Sequence, residues 1–327
     1  LKLTIQRAWY QPRLTPLTLF LVPFSWLFAL ISACRRLAYR IGLLSRTTLP
    51  VPVVVVGNIT VGGSGKTPLV LKLAERFTTI GLKPGIVSRG YGGTSDTYPL
   101  RVRDDSDPAV VGDEPLLMAM RAQCPVVVDP KRARGARFLQ EHCGCNVIIC
   151  DDGLQHYALD RDIEIAVLDA HLMTGNAHLL PAGPLREGTW RLHTCDYTVI
   201  NGALPATDEI VMRLKPETLR RVSDWQPANQ SYVMSTPFIA VAGIGNPQRF
   251  FDTLRALDAV PSKSMAFPDH HQFSEADFPY DMPVIMTEKD AVKCRSFAKK
   301  DWYFLPVEAS LNGRFLTSLT DKVTRLS

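Results

Sequence analysis

Along residues 51–200, short apolar runs alternate with stretches whose apolar residues fall at helical spacing. The runs Val51–Val56, Pro84–Ser88, Val126–Val128, Val147–Cys150, Ile163–Leu168 and Tyr197–Ile200 predict strands, with helices near 67–80, 112–122, 131–142 and 185–193. Strand–helix alternation of this kind predicts an α/β/α sandwich with a mostly parallel sheet covered on both faces, its ligands beyond the carboxyl ends of the strands. A polar, proline-bearing stretch at 215–237 reads as a linker. After it come a strand at Phe238–Ala242, a glycine turn, a helix from Gln248 to about Leu257, and strands at Ser264–Phe267, Val284–Met286 and Tyr303–Pro306. This pattern predicts a second, smaller α/β lobe. Ahead of the first strand, residues 14–33 carry no charge, a run of about the length that spans a hydrocarbon core. Pro16 and Pro23 weaken it as a spanning helix, so it crosses a membrane or lies in the headgroup plane, the plain alternative being a helix buried in the soluble core. The expected organisation is a membrane-associated segment over 1–48, a nucleotide-binding lobe over 49–214 and the smaller lobe over 215–327.

Charge sharpens the picture of the N-terminus. Of 37 basic and 32 acidic residues, seven basic and no acidic ones fall within residues 1–50, so that segment is +7 and the remainder −2. A basic, apolar end on a slightly acidic body points to an anionic membrane surface and away from nucleic acid. A chain of 327 residues, 46% hydrophobic and 21% charged, has room for two ordinary globular domains. The seven cysteines suggest no even disulfide framework and read as reduced thiols in a cytosolic compartment. Cys143, Cys145 and Cys150, with His142 and His156 nearby, do not follow common zinc spacings.

The chemistry starts at residues 51–67, VPVVVVGNITVGGSGKT. A buried strand, a glycine-rich turn, Gly-Lys-Thr and an amphipathic helix together form the context of a P-loop. Backbone N–H groups of Thr60, Val61, Gly62, Gly63, Ser64 and Gly65 would cradle phosphate oxygens at a helix N-terminus. Lys66 reaches toward the β- and γ-phosphates, and Thr67 offers a hydroxyl to Mg²⁺. The motif asks for glycine where this chain has Thr60; Gly62 and Gly63 are the available flexible positions. The apolar run ending in Asp151-Asp152 has the form of a Walker B strand, whose carboxylates hold Mg²⁺ directly or through water. Adjacent residues on a strand point oppositely, so only one of the two should face the metal.

Other polar segments fall at the same predicted sheet edge. Asp113-Glu114 opens a helix, where an acidic residue serves either as a cap or as a base accepting a proton from a hydroxyl. Ser88-Arg89-Gly90-Tyr91-Gly92-Gly93 is either a tight turn or a loop closing on an anion or sugar. Arg186, after Gly183-Pro184, is placed to neutralise transferring phosphate or to pair with Glu187 in solvent. Asp269-His270-His271 in the second lobe offers an oriented imidazole, while Thr287-Glu288-Lys289-Asp290 reads as a capped helix start.

Taken in order, VGNITVGGSGKTP, VSRGYGG, GDEP, VIICDDGLQH, LLPAGPLRE, FPDHH and MTEKDAVK, together with the apolar N-terminus, resemble the tetraacyldisaccharide 4′-kinases, the lipid A 4′-kinases of Gram-negative bacteria. The resemblance covers nearly the whole chain. It implies two α/β/α lobes and transfer of the ATP γ-phosphate to the 4′-hydroxyl of tetraacyldisaccharide 1-phosphate, giving lipid IVA. The implied location is the cytoplasmic face of the inner membrane. It makes Lys66, Asp113, His270 and Arg186 the catalytic set and Thr67, Asp151 and Asp152 the Mg²⁺ ligands. Tyr91, Glu187 and Asn58 become contacts to the lipid disaccharide; no obligate protein partner is implied. The alternative is a membrane-associated P-loop switch ATPase. Positioning ATPases of that kind carry a lysine just before the double glycine, where this chain has Val61.

Overall fold

The computed structural model describes residues 2–11, 13–202 and 209–326. Helices α1 (Lys2–Trp9) and α2 (Pro16–Arg40) precede the first strand, β1 (Val53–Gly57). Then follow α3 (Lys66–Thr79), β2 (Pro84–Ser88), β3 (Leu100–Val102), α4 (Pro108–Val111), α5 (Asp113–Arg121), β4 (Val126–Val128) and α6 (Arg132–Cys143). The first lobe continues through β5 (Val147–Asp151), β6 (Ile163–Asp169), β7 (Tyr197–Asn201) and β8 (Ile210–Pro216). The second contains β9 (Arg220–Arg221), α7 (Gln230–Ser235), β10 (Ile239–Ala242), α8 (Pro247–Ala256), β11 (Lys263–Ala266), β12 (Val284–Thr287), α9 (Glu288–Cys294) and β13 (Trp302–Leu305). The chain ends in β14 (Val307–Leu311) and α10 (Gly313–Leu326).

The main sheet has the order β14-β8-β7-β6-β1-β5-β2-β4-β3. It is parallel from β8 to β4 and antiparallel only at its two edges. Strands buried on both faces explain the unbroken valine run of β1. Val54 and Val56 join the core beneath α3, α5 and α10, whereas Val53 and Val55 face α6 and the loop after β5. On the α3 side, Leu69, Leu73 and Phe77 are fully buried, the i, i+4, i+8 stripe of an amphipathic helix. The second sheet, β11-β10-β12-β13-β9, has its own two-sided core built on Phe238, Leu254, Trp302 and Phe304.

Two sequence expectations change here. The stretch 215–237 is not a plain linker: it holds the end of β8, then β9 and α7, with Leu219, Val222 and Val233 buried. The predicted lobe over 215–327 also loses its last part. β14 pairs antiparallel with β8, and Phe315, Leu319 and Val323 of α10 enter the core of the main sheet. The local pattern of 307–326 reads simply as strand plus amphipathic helix; which sheet it joins depends on the open edge at β8.

Helix α2 is capped by Thr15, whose side chain and backbone exchange hydrogen bonds with Thr18. Pro16 sits at its first turn, where a missing N–H costs nothing. It is the one helix among the described residues long and apolar enough to cross a membrane. One face docks on the lobe: buried Ser25 donates to Leu179 O at 2.8 Å and accepts from Ala182 N–H at 3.0 Å. The other exposes Phe20, Phe24, Trp26, Leu27, Leu30 and Ile31.

Candidate active site

The P-loop forms between β1 and α3. Residues 59–61 run extended against 184–186: Val61 N–H donates to Pro184 O at 2.9 Å and Arg186 N–H to Ile59 O at 2.7 Å. Thr60 is therefore the centre of a short antiparallel bridge with Leu185. An extended residue has no need of glycine, which accounts for the departure from the motif. Left-handed backbone is required instead at Gly62 (φ 108°) and Gly65 (φ 80°). A Cβ on Gly65 would lie 2.1 Å from Asn201 Nδ2, which itself donates to Ser64 O. The loop is thus held from below by the end of β7.

Because β1 and β5 pair in parallel with Val56 opposite Asp151, the acidic pair emerges beside the loop. The two aspartates diverge, because β5 ends at Asp151 and the backbone turns left-handed at Asp152. Asp151 turns toward β2 and accepts from Ser88 Oγ at 2.9 Å. Asp152, at φ 49°, faces Lys66 Nζ at 3.4 Å and Arg186 Nη1 at 2.9 Å. Burial, Glu114 and Asp152 push the Asp151 carboxyl up to about 6. Burial pushes Asp152 the same way, but Lys66 and Arg186 outweigh it and hold it well below the carboxylate range. Asp151 Oδ1 and Ser64 Oγ are buried without a hydrogen-bond partner. Those orphaned oxygens, two carboxylates and the neighbouring Thr67 fit a hard cation that shares its shell with phosphate.

Across the cleft stands Asp113, the first residue of α5. Gly112 precedes it at φ 90°, with Tyr91 O packed where a Cβ would lie at 2.7 Å. Asp113 Oδ1 accepts from Glu114 N–H at 2.9 Å, and Oδ2 lies 3.1 Å from His270 Nδ1. His270 comes from the second lobe in a left-handed conformation, φ 62°, of the kind that accumulates at functional sites. The Tyr91 ring packs on its imidazole with centroids 4.9 Å apart. His271 turns away toward Asp277 and stacks on Phe267, so of the adjacent histidines it is His270 that meets Asp113.

Lys66, Thr67, Tyr91, Asp151, Asp152, Arg186 and His270 border one cleft of about 1290 Å³ between the lobes. Three of the expected residues stand differently. Asn58 is fully buried, its amide donating to Thr60 Oγ1 and Gly62 O, so it shapes the loop from beneath. Thr60 is buried beside it. Glu187 borders the cleft, yet its carboxylate is taken up by Gln155 Nε2 at 2.9 Å and by Tyr157 OH. The expected helix at 185–193 is a 3₁₀ turn at Thr189–Thr194, because residues 184–186 are held extended by the loop. Asn201 and Arg249 also line the cleft, with no signal in the sequence to mark them; Ser88, expected in a turn or anion-binding loop, and Lys289, expected only in a capped helix start, line it as well.

A family model described as tetraacyldisaccharide-1-P 4′-kinase, LpxK, matches residues 17–324. The chain belongs to that family. It is 50% identical over 302 residues to the tetraacyldisaccharide 4′-kinase of Pseudoalteromonas atlantica, covering 92% of this chain and 99% of the relative. The protein of the same name from Tolumonas auensis is 48% identical over 325 residues, 98% of each chain. The fold is similar to that of LpxK from Aquifex aeolicus, crystallised in complex with ATP, with a TM-score of 0.81 and 30% identity over 95% of this chain and 99% of that one. Family membership over this span covers both lobes and most of α2, and with them every side chain of the cleft described above.

Proposed function

We propose that the protein transfers the γ-phosphate of ATP to the 4′-hydroxyl of tetraacyldisaccharide 1-phosphate, forming lipid IVA. The observation that carries this reading is His270, bound to buried Asp113 at 3.1 Å, on the same cleft as the Lys66 P-loop. A switch ATPase has no use for a carboxylate–imidazole pair opposite its phosphate site.

In the proposed reaction the 4′-oxygen attacks the γ-phosphorus, the bond to the β–γ bridging oxygen breaks, and Asp113 takes the hydroxyl proton. Lys66 and Arg186 neutralise charge on the transferring group, and such neutralisation dominates phosphoryl transfer. Asp151, Asp152 and Thr67 would hold Mg²⁺, which supplies further positive charge there when bound. His270 orients the base, and the two lobes meeting over the cleft exclude water.

The acceptor's acyl chains explain α2. Docked along the lobe through Ser25, with Arg35 donating to Gln155 O at 3.1 Å, the helix lies against the protein and presents its apolar face outward. In this reading it rests in the headgroup plane on the cytoplasmic face of the inner membrane. Phe28, Ile31, Ser32 and Arg35 of the same helix border the cleft, so an acceptor held in the bilayer meets the phosphate site directly.

The decisive experiment follows labelled γ-phosphate from ATP into tetraacyldisaccharide 1-phosphate in detergent, native protein beside Lys66→Ala. Magnesium-dependent product that disappears in the variant is the expected result. Acceptor-independent ATP hydrolysis stimulated by membranes, with no lipid product, would replace this reading with the switch ATPase.

A further inference from the structure

Lys289 is the second residue of α9 in the second lobe, yet its surroundings belong to the Asp113–His270 pair. Its Nζ lies 2.9 Å from Glu114 Oε1, 3.1 Å from Asp269 Oδ1 and 3.8 Å from Asp113 Oδ2. It also lies 3.5 Å from His270 Nε2. The side chain is only 14% exposed. Burial alone would favour a neutral amine, but Glu114, Asp113 and Asp269 hold Lys289 charged, above the ordinary lysine value.

An ammonium is a donor with no acceptor capacity. The ring nitrogen facing it therefore presents a lone pair, and the neutral imidazole carries its hydrogen on Nδ1. There Asp113 Oδ2, 3.1 Å away, accepts it. The opposite tautomer would aim an N–H at the ammonium and a lone pair at the carboxylate, a repulsive contact at each end of the ring. The charged groups facing His270 are Asp113 from α5, Asp269 from its own loop and Lys289 from α9, with the Tyr91 ring against its plane. Asp113 in turn is influenced by His270, Lys289 and Lys293. Glu288, next to Lys289, pairs with Arg121 at 2.6 Å, so α9 grips the base-bearing helix α5 near both ends.

We infer that Lys289 is a positioning residue of the phosphoryl-transfer site, locking His270 in the Nδ1–H tautomer and aiming Asp113 at the acceptor hydroxyl. This rests on the kinase reading above. With Nδ1–H donated to Oδ2, the carboxylate is fixed in orientation and keeps lone pairs for the incoming proton. The same charge opposes protonation of His270 at Nε2, the only ring position left to take one.

The test uses the full chain labelled with ¹⁵N-histidine, native and Lys289→Met, with His270→Ala identifying the resonance. In the native protein Nδ1 is expected to read as protonated and Nε2 as bare above the titration midpoint. In Lys289→Met the two tautomers mix and the His270 midpoint rises by about one pH unit, the size of one lost charge at this range in a water-like medium. Lys289→Gln, which keeps a donor without charge, should raise the midpoint while preserving the Nδ1–H tautomer. In the transfer assay kcat of Lys289→Met falls about 10- to 100-fold, within the range of a misplaced general base. KM for ATP stays unchanged, and Lys289→Arg recovers most of the rate. An unaltered tautomer and midpoint in folded Lys289→Met, or a loss confined to KM, would overturn the inference. If the native protein phosphorylates no acceptor, the kinase reading falls, while the histidine spectra still decide whether Lys289 governs His270.

Discussion

Thr60 shows at the scale of a single residue why a motif and a conformation are different things. The loop needs left-handed backbone at Gly62 and Gly65, and extended backbone at Thr60, where the bridge to Leu185 forms. Gly65→Ala should therefore be severe: strain at φ 80° joins a Cβ placed 2.1 Å from Asn201 Nδ2. The expected outcome is loss of measurable ATP binding by calorimetry with the fold retained. Asp113→Asn keeps the shape of the base but removes its basicity, so kcat should drop about 10²–10⁴-fold with KM for ATP nearly unchanged. The Asp113–His270 bond also links stability to pH. The hydrogen bond to Asp113 holds His270 above the ordinary imidazole value. Such a group stabilises fully below its unfolded pKa, about 6.5, and the benefit is lost as pH rises through the folded value. Burial pushes Asp113 up, but the His270 bond and Lys289 together hold it below the usual range. Its contribution is present above about 4 and is lost as pH falls through its folded value. The Tm deficit of His270→Ala should accordingly be largest near pH 5–6 and smaller at pH 8, which thermal scans across that range would show.

At the scale of elements, α2 carries two faces of different kind, one docked on the lobe and one apolar and exposed. Ser25 is buried against the loop at 179–182, serving Leu179 O and Ala182 N–H. Ser25→Ala orphans Ala182 N–H, while Leu179 O keeps its bond from Gly183 N–H at 3.0 Å, and should cost about 1–3 kcal/mol, read from urea unfolding. Phe20 and Trp26 are each 70% exposed on the outer face. Changing both to Glu should leave urea stability within about 0.5 kcal/mol, as surface changes do, and should release the protein from anionic vesicles in flotation. If flotation were unaffected, α2 would not be the membrane contact. Helix α3 shows the opposite case, a stripe wholly committed to the interior.

The whole molecule depends on contacts that cross between lobes. Arg249 of α8 reaches Asp169 at 3.3 Å and Asn201 at 2.8 Å, beneath the P-loop. Glu288 and Lys289 of α9 hold α5, and the chain itself crosses back when β14 joins β8. Arg121→Met leaves the buried Glu288 carboxylate uncompensated and should destabilise by about 3–5 kcal/mol; Arg121→Met with Glu288→Gln should regain part of that, as urea melts would report. Equal stability of single and double variants would show that the pair contributes little.

The apolar periodicities by themselves determined the parallel sheet, because strands buried on both faces must read as unbroken valine and isoleucine runs. The P-loop was legible for a related reason: glycine, lysine and threonine must follow one another in sequence for a loop of that shape to form. The Asp113–His270 pair was legible only through the resemblance, since 157 residues separate the two and no spacing rule connects them. Tertiary structure alone decided that Asp152, not Asp151, faces Lys66, that the Glu187 carboxylate is held by Gln155 and Tyr157 beside Arg36 and Arg191, and that β14 and α10 belong to the main sheet. Lys289 belongs with these. Its sequence neighbourhood describes a capped helix, and its role depends on three carboxylates and an imidazole that only the packing of two lobes brings within reach.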